Sequence, residues 1–157
     1  MRRTFLSAKL LRRLLAGLAV VMLLAVPAVA AEYASVSKDG VNVRSGPATD
    51  KEILWELFKG FPLQILERKG QWAQIVDFEG DKGWIYTPLL SKEKTVIVRV
   101  PTGNLRVGPG TNYEISASVK YGVVFKPLER RGEWVKVEHG DGTSGWMHDK
   151  LLWPDTL

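Results

Sequence analysis

The sequence predicts an all-β protein in which one small barrel or sandwich domain is written twice, behind an N-terminal export signal expected to be a helix. Three observations predict it. The chain repeats itself at a fixed offset of 62 residues without a gap. Apolar and polar residues alternate over short runs, the period of a half-buried strand. Turn-forming residues recur at roughly ten-residue spacing, as in small barrels and sandwiches.

The repeat is read directly. Asn42-Val43-Arg44-Ser45-Gly46-Pro47 falls on Asn104-Leu105-Arg106-Val107-Gly108-Pro109. Leu66-Glu67-Arg68-Lys69-Gly70-Gln71-Trp72 falls on Leu128-Glu129-Arg130-Arg131-Gly132-Glu133-Trp134. Gly83-Trp84 falls on Gly145-Trp146, and Leu89-Leu90 on Leu151-Leu152. About a third of the aligned positions are identical, and Gly, Pro, Trp, Arg and Asn are prominent among them. The repeat sets the organisation: a signal at residues 1–30, a first domain at 33–90, a linker at 91–94 and a second domain at 95–152.

Within each copy the elements follow in order. Val41–Arg44 alternates and stops at Gly46-Pro47, a turn signal. Leu63–Glu67 and Trp72–Val76 read as strands, joined by Arg68-Lys69-Gly70 as a hairpin turn in which Gly supplies a positive φ. Asp77 to Lys82 is a second turn, leading to Gly83-Trp84-Ile85-Tyr86. Asp50 to Phe58 has some helical character, but its counterpart, Asn112 to Lys120, is rich in Ser and Val and argues against a helix there.

Strand alternation assigns faces. Ala73, Ile75 and Ile85, matched by Val135, Val137 and Met147, mark the core side. Trp72, Trp84 and Tyr86, matched by Trp134, Trp146 and His148, take the opposite side. Each copy thus carries aromatic side chains on a face that is not the core. They either form an open groove, or lie flat over their own barrel and close it, or are buried against each other between the copies. Trp55 and Trp153 have no Trp counterpart, and Trp153 is expected at the seam between the domains. Asn42, Arg44, Asn104 and Arg106 either line a groove or hold the following loop in shape, and the second role is favoured because a long loop leaves many backbone groups needing partners.

The first thirty residues differ from the rest. Arg2, Arg3, Lys9, Arg12 and Arg13 precede a run of 13 residues, Leu14–Val26, apolar apart from Gly17. A membrane span needs roughly 20. Pro27 and Ala28-Val29-Ala30-Ala31 then supply small residues for cleavage after Ala30 or Ala31. A cleaved Sec-type signal, and so a periplasmic or secreted protein without a membrane span after cleavage, is expected. Of the 22 basic residues five lie in this segment, which leaves 17 basic against 17 acidic, net zero. The basic balance therefore belongs to the signal, and no nucleic-acid partner is expected, since binding to DNA or RNA needs a basic stripe.

The chain has no cysteine, which removes disulfides, thiol nucleophiles and Cys-based zinc sites. His139 and His148 stand nine apart in the second copy with no triad or metal constellation around them. Gly108-Pro109-Gly110 is a turn and not a phosphate cradle. No catalytic residue, metal or cofactor is expected.

The order N-x-R-x-G-P, Gly before an apolar strand, G-x-W, G-W-[IM] and Leu-Leu, present twice, resembles the bacterial SH3-like (SH3b) domain family over roughly Tyr33–Leu90 and Thr95–Leu152. The resemblance implies two SH3-like barrels, each of five to six strongly bent strands, with an RT-type loop after Gly46-Pro47 and Gly108-Pro109. Copy two departs at Pro101-Thr102-Gly103 and Thr143-Ser144, which suggests different loops on the same fold. The resemblance further implies a non-catalytic module that binds cell-wall peptidoglycan or a wall peptide. The competing expectation is an adaptor or accessory subunit whose partner is an envelope protein. The candidate ligand-binding residues are Trp72, Trp84, Tyr86 and Arg44 in the first copy and Trp134, Trp146, His148 and Arg106 in the second. Fold alone does not choose the ligand.

Overall fold

The computed structural model describes residues 30–155, so the helix expected for the export signal lies outside the described residues. From Ala31 onward the chain is one compact unit. The first copy forms β1 (Glu32–Val36), β2 (Val41–Arg44), β3 (Ile53–Leu57), β4 (Pro62–Lys69), β5 (Trp72–Val76), β6 (Lys82–Tyr86) and, after a 3-10 turn at Thr87–Leu89, β7 (Leu90–Ser91). The second forms β8 (Val96–Val98), β9 (Thr102–Arg106), β10 (Ile115–Lys120), β11 (Val124–Arg131), β12 (Trp134–Glu138), β13 (Ser144–His148), a 3-10 turn at Asp149–Leu151, and β14 (Leu152–Trp153). Hydrogen bonding orders them β3-β2-β6-β5-β4-β1-β7 and β10-β9-β13-β12-β11-β8-β14, the same path twice. Where helix and strand competed, within Asp50–Phe58, residues Ile53–Leu57 form the strand β3 after a turn at Asp50.

Each sheet has seven strands, against the five to six that the resemblance implied. The additional pieces are β7 and β14, two residues each after a 3-10 turn. A two-residue strand leaves no alternation to read; β7 is fixed by pairing Val36 with Leu90 and Ser35 with Ser91.

Alternate side chains of β1 to β6 converge on one buried cluster, which includes Val36, Val43, Leu63, Ile65, Ile75 and Ile85. A sheet whose strands all point one face at a single cluster has to curl around it, and that makes the barrel. Register shifts help the curl. One lies between Ile65 and Glu67 on β4, and its counterpart lies between Pro127 and Glu129 on β11. An extra residue in one strand bends it and increases its twist. The face assignment from alternation holds: Ala73, Ile75 and Ile85 are fully buried, as are Val137 and Met147, with Val135 nearly so.

The hairpin between β4 and β5 turns on Gly70-Gln71, with Gly70 at φ +58°, and its copy turns on Gly132-Glu133, with Gly132 at φ +59°. Gly at the first central position suits the II′ turn, whose twist matches that of the strands. The Gly-Trp pair has another cause. A Cβ on Gly83 would lie 2.3 Å from Val43 Cγ1 and 3.2 Å from the Arg44 carbonyl oxygen. On Gly145 it would lie 2.6 Å from Leu105 Cγ and 2.9 Å from the Arg106 carbonyl oxygen. Here β6 and β13 cross β2 and β9 too closely for any side chain.

The loop hydrogen bonds repeat at the same offset. Ser45 N–H donates to Glu52 O as Val107 N–H donates to Glu114 O, and Thr87 N–H donates to Gln71 O as Asp149 N–H donates to Glu133 O. The cores do not repeat so cleanly. The first cluster includes Ile97 from β8, with Val124 and Trp153 of the second copy packed on it. The second cluster is built only from second-copy residues. Trp153 meets Tyr33 edge to face at 5.6 Å, in the seam where the sequence placed it. Ser35 Oγ donates to Glu93 O at 2.8 Å and fixes the linker against the first barrel.

Candidate functional site

On the outer face of β5 and β6, Trp72 pairs in register with Tyr86, and their rings lie 5.6 Å apart, tilted by 58°. Opposed residues on neighbouring strands place such rings side by side. Tyr86 Oη donates to Gln71 Oε1 at 3.3 Å. The pair forms one wall of a cleft of about 220 Å³, completed by Asn42, Arg44, Thr49 and Leu89. Both residues are half-buried. The second copy keeps this layout: Trp134 pairs with His148, rings 5.4 Å apart.

His148 is held from below. Its Nδ1 accepts the Lys150 N–H at 3.3 Å and lies 3.0 Å from Asp149 Oδ1, which shares its carboxylate with Arg130 at 2.6 Å. The imidazole is half-buried beside Trp134. His139 lies elsewhere, packed edge-on against Phe125 at 5.7 Å and 3.1 Å from Asp141.

The two arginines act on the loop after the N-x-R motif. Arg44 Nη1 donates to Lys51 O at 2.7 Å, and Arg106 Nη1 donates to Thr111 O and Tyr113 O at 3.1 and 2.7 Å. Each guanidinium replaces water for carbonyls that no ladder satisfies. Arg44 nevertheless also lines the cleft, so loop and cleft are built on one side chain.

Trp84 and Trp146 take no such place. Trp84 is half-buried on β6 opposite Gln74 and Arg44, outside the lining of the Trp72 cleft. Trp146 is only 6% exposed and lies under the Arg131 guanidinium, 5.2 Å from the ring centroid, a cation–π contact. Of the eight candidates, Trp72, Tyr86 and Arg44 come together in one cleft, and Trp134 and His148 form a matching pair. Thr49 was not singled out in the sequence, and Leu89 was read there as part of the repeat but not as a binding residue, although both recur, as Thr111 and Leu151. That recurrence was the available signal.

A different group of polar residues sits in the turn after β5. Asp77 is 7% exposed, and its Oδ1 accepts the N–H of Glu79 and of Asp81 at 3.0 and 2.9 Å. Burial pushes its carboxyl above the usual range, outweighing those two amides, which favour the charged form. The corresponding turn in the second copy uses Asp141, which accepts the Thr143 N–H at 2.8 Å. That amide, with His139 beside it, holds Asp141 down at about 2.

The sequence profile of the bacterial SH3 domain matches residues 37–92 and again residues 99–154. This chain belongs to the bacterial SH3 domain family. The chain is similar to curated proteins. Putative N-acetylmuramoyl-L-alanine amidase YrvJ of Bacillus subtilis is 33% identical over 130 residues, 76% of this chain and 25% of that protein. Probable cell wall amidase LytH of Staphylococcus epidermidis is 33% identical over 60 residues, 37% of this chain and 21% of that protein. The chain thus spans about a quarter or less of the length of these relatives. Among solved structures, an NlpC/P60 family protein from Bacillus cereus aligns at a TM-score of 0.37 and 14% identity, over 77% of this chain and 55% of that one. NlpC2 from Trichomonas vaginalis aligns at 0.37 and 14%, over 81% and 49%. The bacterial SH3 barrels account for nearly all the described residues, and their outer aromatic pairs are the shared feature that the two cores do not use.

Proposed function

We propose that this chain is an exported, non-catalytic module that binds cell-wall peptidoglycan or a wall peptide in the periplasm or outside the cell. The observation that carries the reading is the ring pair on the outer face of each barrel, Trp72 with Tyr86 and Trp134 with His148. An indole beside a second ring offers a flat apolar surface with polar edges, suited to a sugar face or an extended peptide. The first pair sits in a cleft whose polar side chains, Asn42, Arg44 and Thr49, can select a polar chain. The relatives add support: the one named a putative N-acetylmuramoyl-L-alanine amidase is alike over 130 residues, and the one named a probable cell wall amidase over 60. Two weak sites on one compact unit strengthen attachment to a polymer that repeats its own units.

The test is co-sedimentation of residues 31–157 with purified sacculi. The wild type is expected in the pellet, and the double variant Trp72→Ala/Trp134→Ala in the supernatant. No binding above a control protein, or equal binding of the double variant, contradicts the reading. Release of soluble fragments from the sacculi contradicts its non-catalytic part.

A second reading, an adaptor for an envelope protein, is favoured by one observation. β3 ends its sheet and presents Ile53 and Leu54, 50% and 43% exposed. An edge strand with exposed apolar side chains accepts a partner strand. Capture of one stoichiometric envelope protein, lost on Leu54→Lys and without affinity for sacculi, would favour this reading over the first.

A further inference from the structure

We propose that the seam between the barrels holds a second binding site, for the ammonium group of a basic peptide side chain. The site is a cleft of about 470 Å³, remote from the Trp72 cleft in its lining. Its walls are aromatic: Trp55, Phe58, Phe61 and Phe78 from the first copy and Tyr121 from the second. The rings run in contact, Phe58 to Phe61 at 5.4 Å, Phe61 to Phe78 at 5.9 Å and Phe78 to Tyr121 at 5.2 Å.

Its charge is of one sign. Glu56, Asp77, Glu79 and Asp81 line it, and no Lys, Arg or His does. Among the described residues none of these four carboxylates has an ion-pair partner, although ten pairs form elsewhere. Tyr121 Oη donates to Glu79 Oε1 at 2.5 Å, which pushes the phenol up to about 12 and keeps it neutral. Ring faces beside uncompensated carboxylates complement an organic cation, which takes electrostatic attraction from both. Asp77, Glu79 and Asp81 bring carboxylate oxygens within 4.8 Å of one another, which makes a hard metal ion the competing occupant; the aromatic walls, which offer such an ion no ligand, favour the organic cation.

The repeat provides an internal control. At the positions of Trp55, Phe58, Asp77 and Phe78 the second copy has Ala117, Lys120, His139 and Gly140. Packing at a seam explains aromatic residues there. It does not explain four acids with no cation among them, of which Asp77 is buried and Glu56, Glu79 and Asp81 are exposed and open to a ligand.

The site does not rest on the wall-binding reading, and its test needs no sacculus. Isotope-labelled residues 31–157, which contain both cores, are titrated by NMR with the peptide acetyl-Ala-Lys-Ala-amide. The control is the same peptide with norleucine in place of lysine. The lysine peptide is expected to shift the amides of residues 78–81 and 121–122 saturably, and the norleucine peptide not to. Glu79→Gln/Asp81→Asn, which leaves the Asp77 turn intact, should weaken binding about fivefold or more, and Trp72→Ala/Trp134→Ala should leave it unchanged. Equal binding of the two peptides, no saturable shift at the seam, or displacement of the lysine peptide by calcium at equal concentration overturns the proposal.

Discussion

The two barrels share a path and differ in what completes them. The second core is filled by its own residues, whereas the first includes Ile97 and leans on Val124 and Trp153 from beyond the linker. At the position of Ile97 the first copy has Ser35, buried and hydrogen-bonded to the linker. Duplicating a domain therefore did not produce two equal domains: the first ends in a partner, and its surface at that end became core. The lesson is that repeat identity reports the scaffold, while the differences between copies report what each copy meets.

The largest expected effect comes from separating the copies. Residues 95–157 should unfold cooperatively on their own, and residues 31–94 should not. Losing Ile97, fully buried, removes about 1.5–3 kcal/mol, and losing the partly buried Val124 and Trp153 removes further apolar cover worth less apiece. Denaturant unfolding of the two fragments checks it, and a cooperative, fully stable 31–94 fragment would break the comparison. Next comes Ile97→Ala in the whole protein, which should cost about 2–5 kcal/mol through the cavity it leaves. Ser35→Ala at the matching position should cost only about 1 kcal/mol, one hydrogen bond.

A smaller effect concerns the departure at Pro101-Thr102-Gly103. Gly103 stands where the first copy has the buried Val41, and a Cβ there would lie 2.8 Å from Met147 Cε. The matching residue to Met147 is Ile85. Each copy thus fills the same space with a different pair, Val with Ile or Gly with Met. Gly103→Val alone should destabilise by about 1–3 kcal/mol from overpacking. Combined with Met147→Ile it should cost less than the sum, a coupling of about 0.5–3 kcal/mol in a double-mutant cycle. Strict additivity would show that the two sites do not compensate each other.

The smallest effect separates the turns by the sign of their pH dependence. The Asp77 carboxyl is raised in the folded state by burial. The folded protein therefore binds that proton more tightly than the unfolded chain. Its contribution favours folding as pH falls through the raised value towards 3.8 and is lost as pH rises through it. Asp141 is lowered to about 2 by the Thr143 amide, so its contribution is present above 3.8 and is lost as pH falls towards 2. Carboxyl carbon NMR should place the Asp77 titration above 3.8 and that of Asp141 near 2; the reverse order would contradict the assigned causes.

Much of this was legible in the sequence, and the reason is local. Alternation in Trp72–Val76 and Gly83–Tyr86 depends on neighbours one and two residues away, so the faces of Trp72, Ala73, Ile75 and Ile85 could be read. The hairpin glycines Gly70 and Gly132 were legible for the same reason. The seam was not. That Phe58, Phe78 and Tyr121 meet depends on how one barrel docks on the next, and no period in the chain encodes it. Trp153 was placed correctly because it has no counterpart and follows the repeat. Trp146 shows the limit of alternation, which put it on the outer face without showing that Arg131 lies over it. Arg44 and Arg106 carried both readings in sequence; the structure shows their loop bonds and also puts Arg44 in the cleft wall.

Titration of sacculi with the single variants Trp72→Ala and Trp134→Ala beside the double variant decides whether the outer ring pairs bind the cell wall, as proposed. If both barrels use these rings, each single variant should lose about 2 kcal/mol or more at its own site, the double variant should lose binding, and the fold should remain intact by tryptophan fluorescence and thermal unfolding. Retention of wild-type affinity by the folded double variant would contradict the claim.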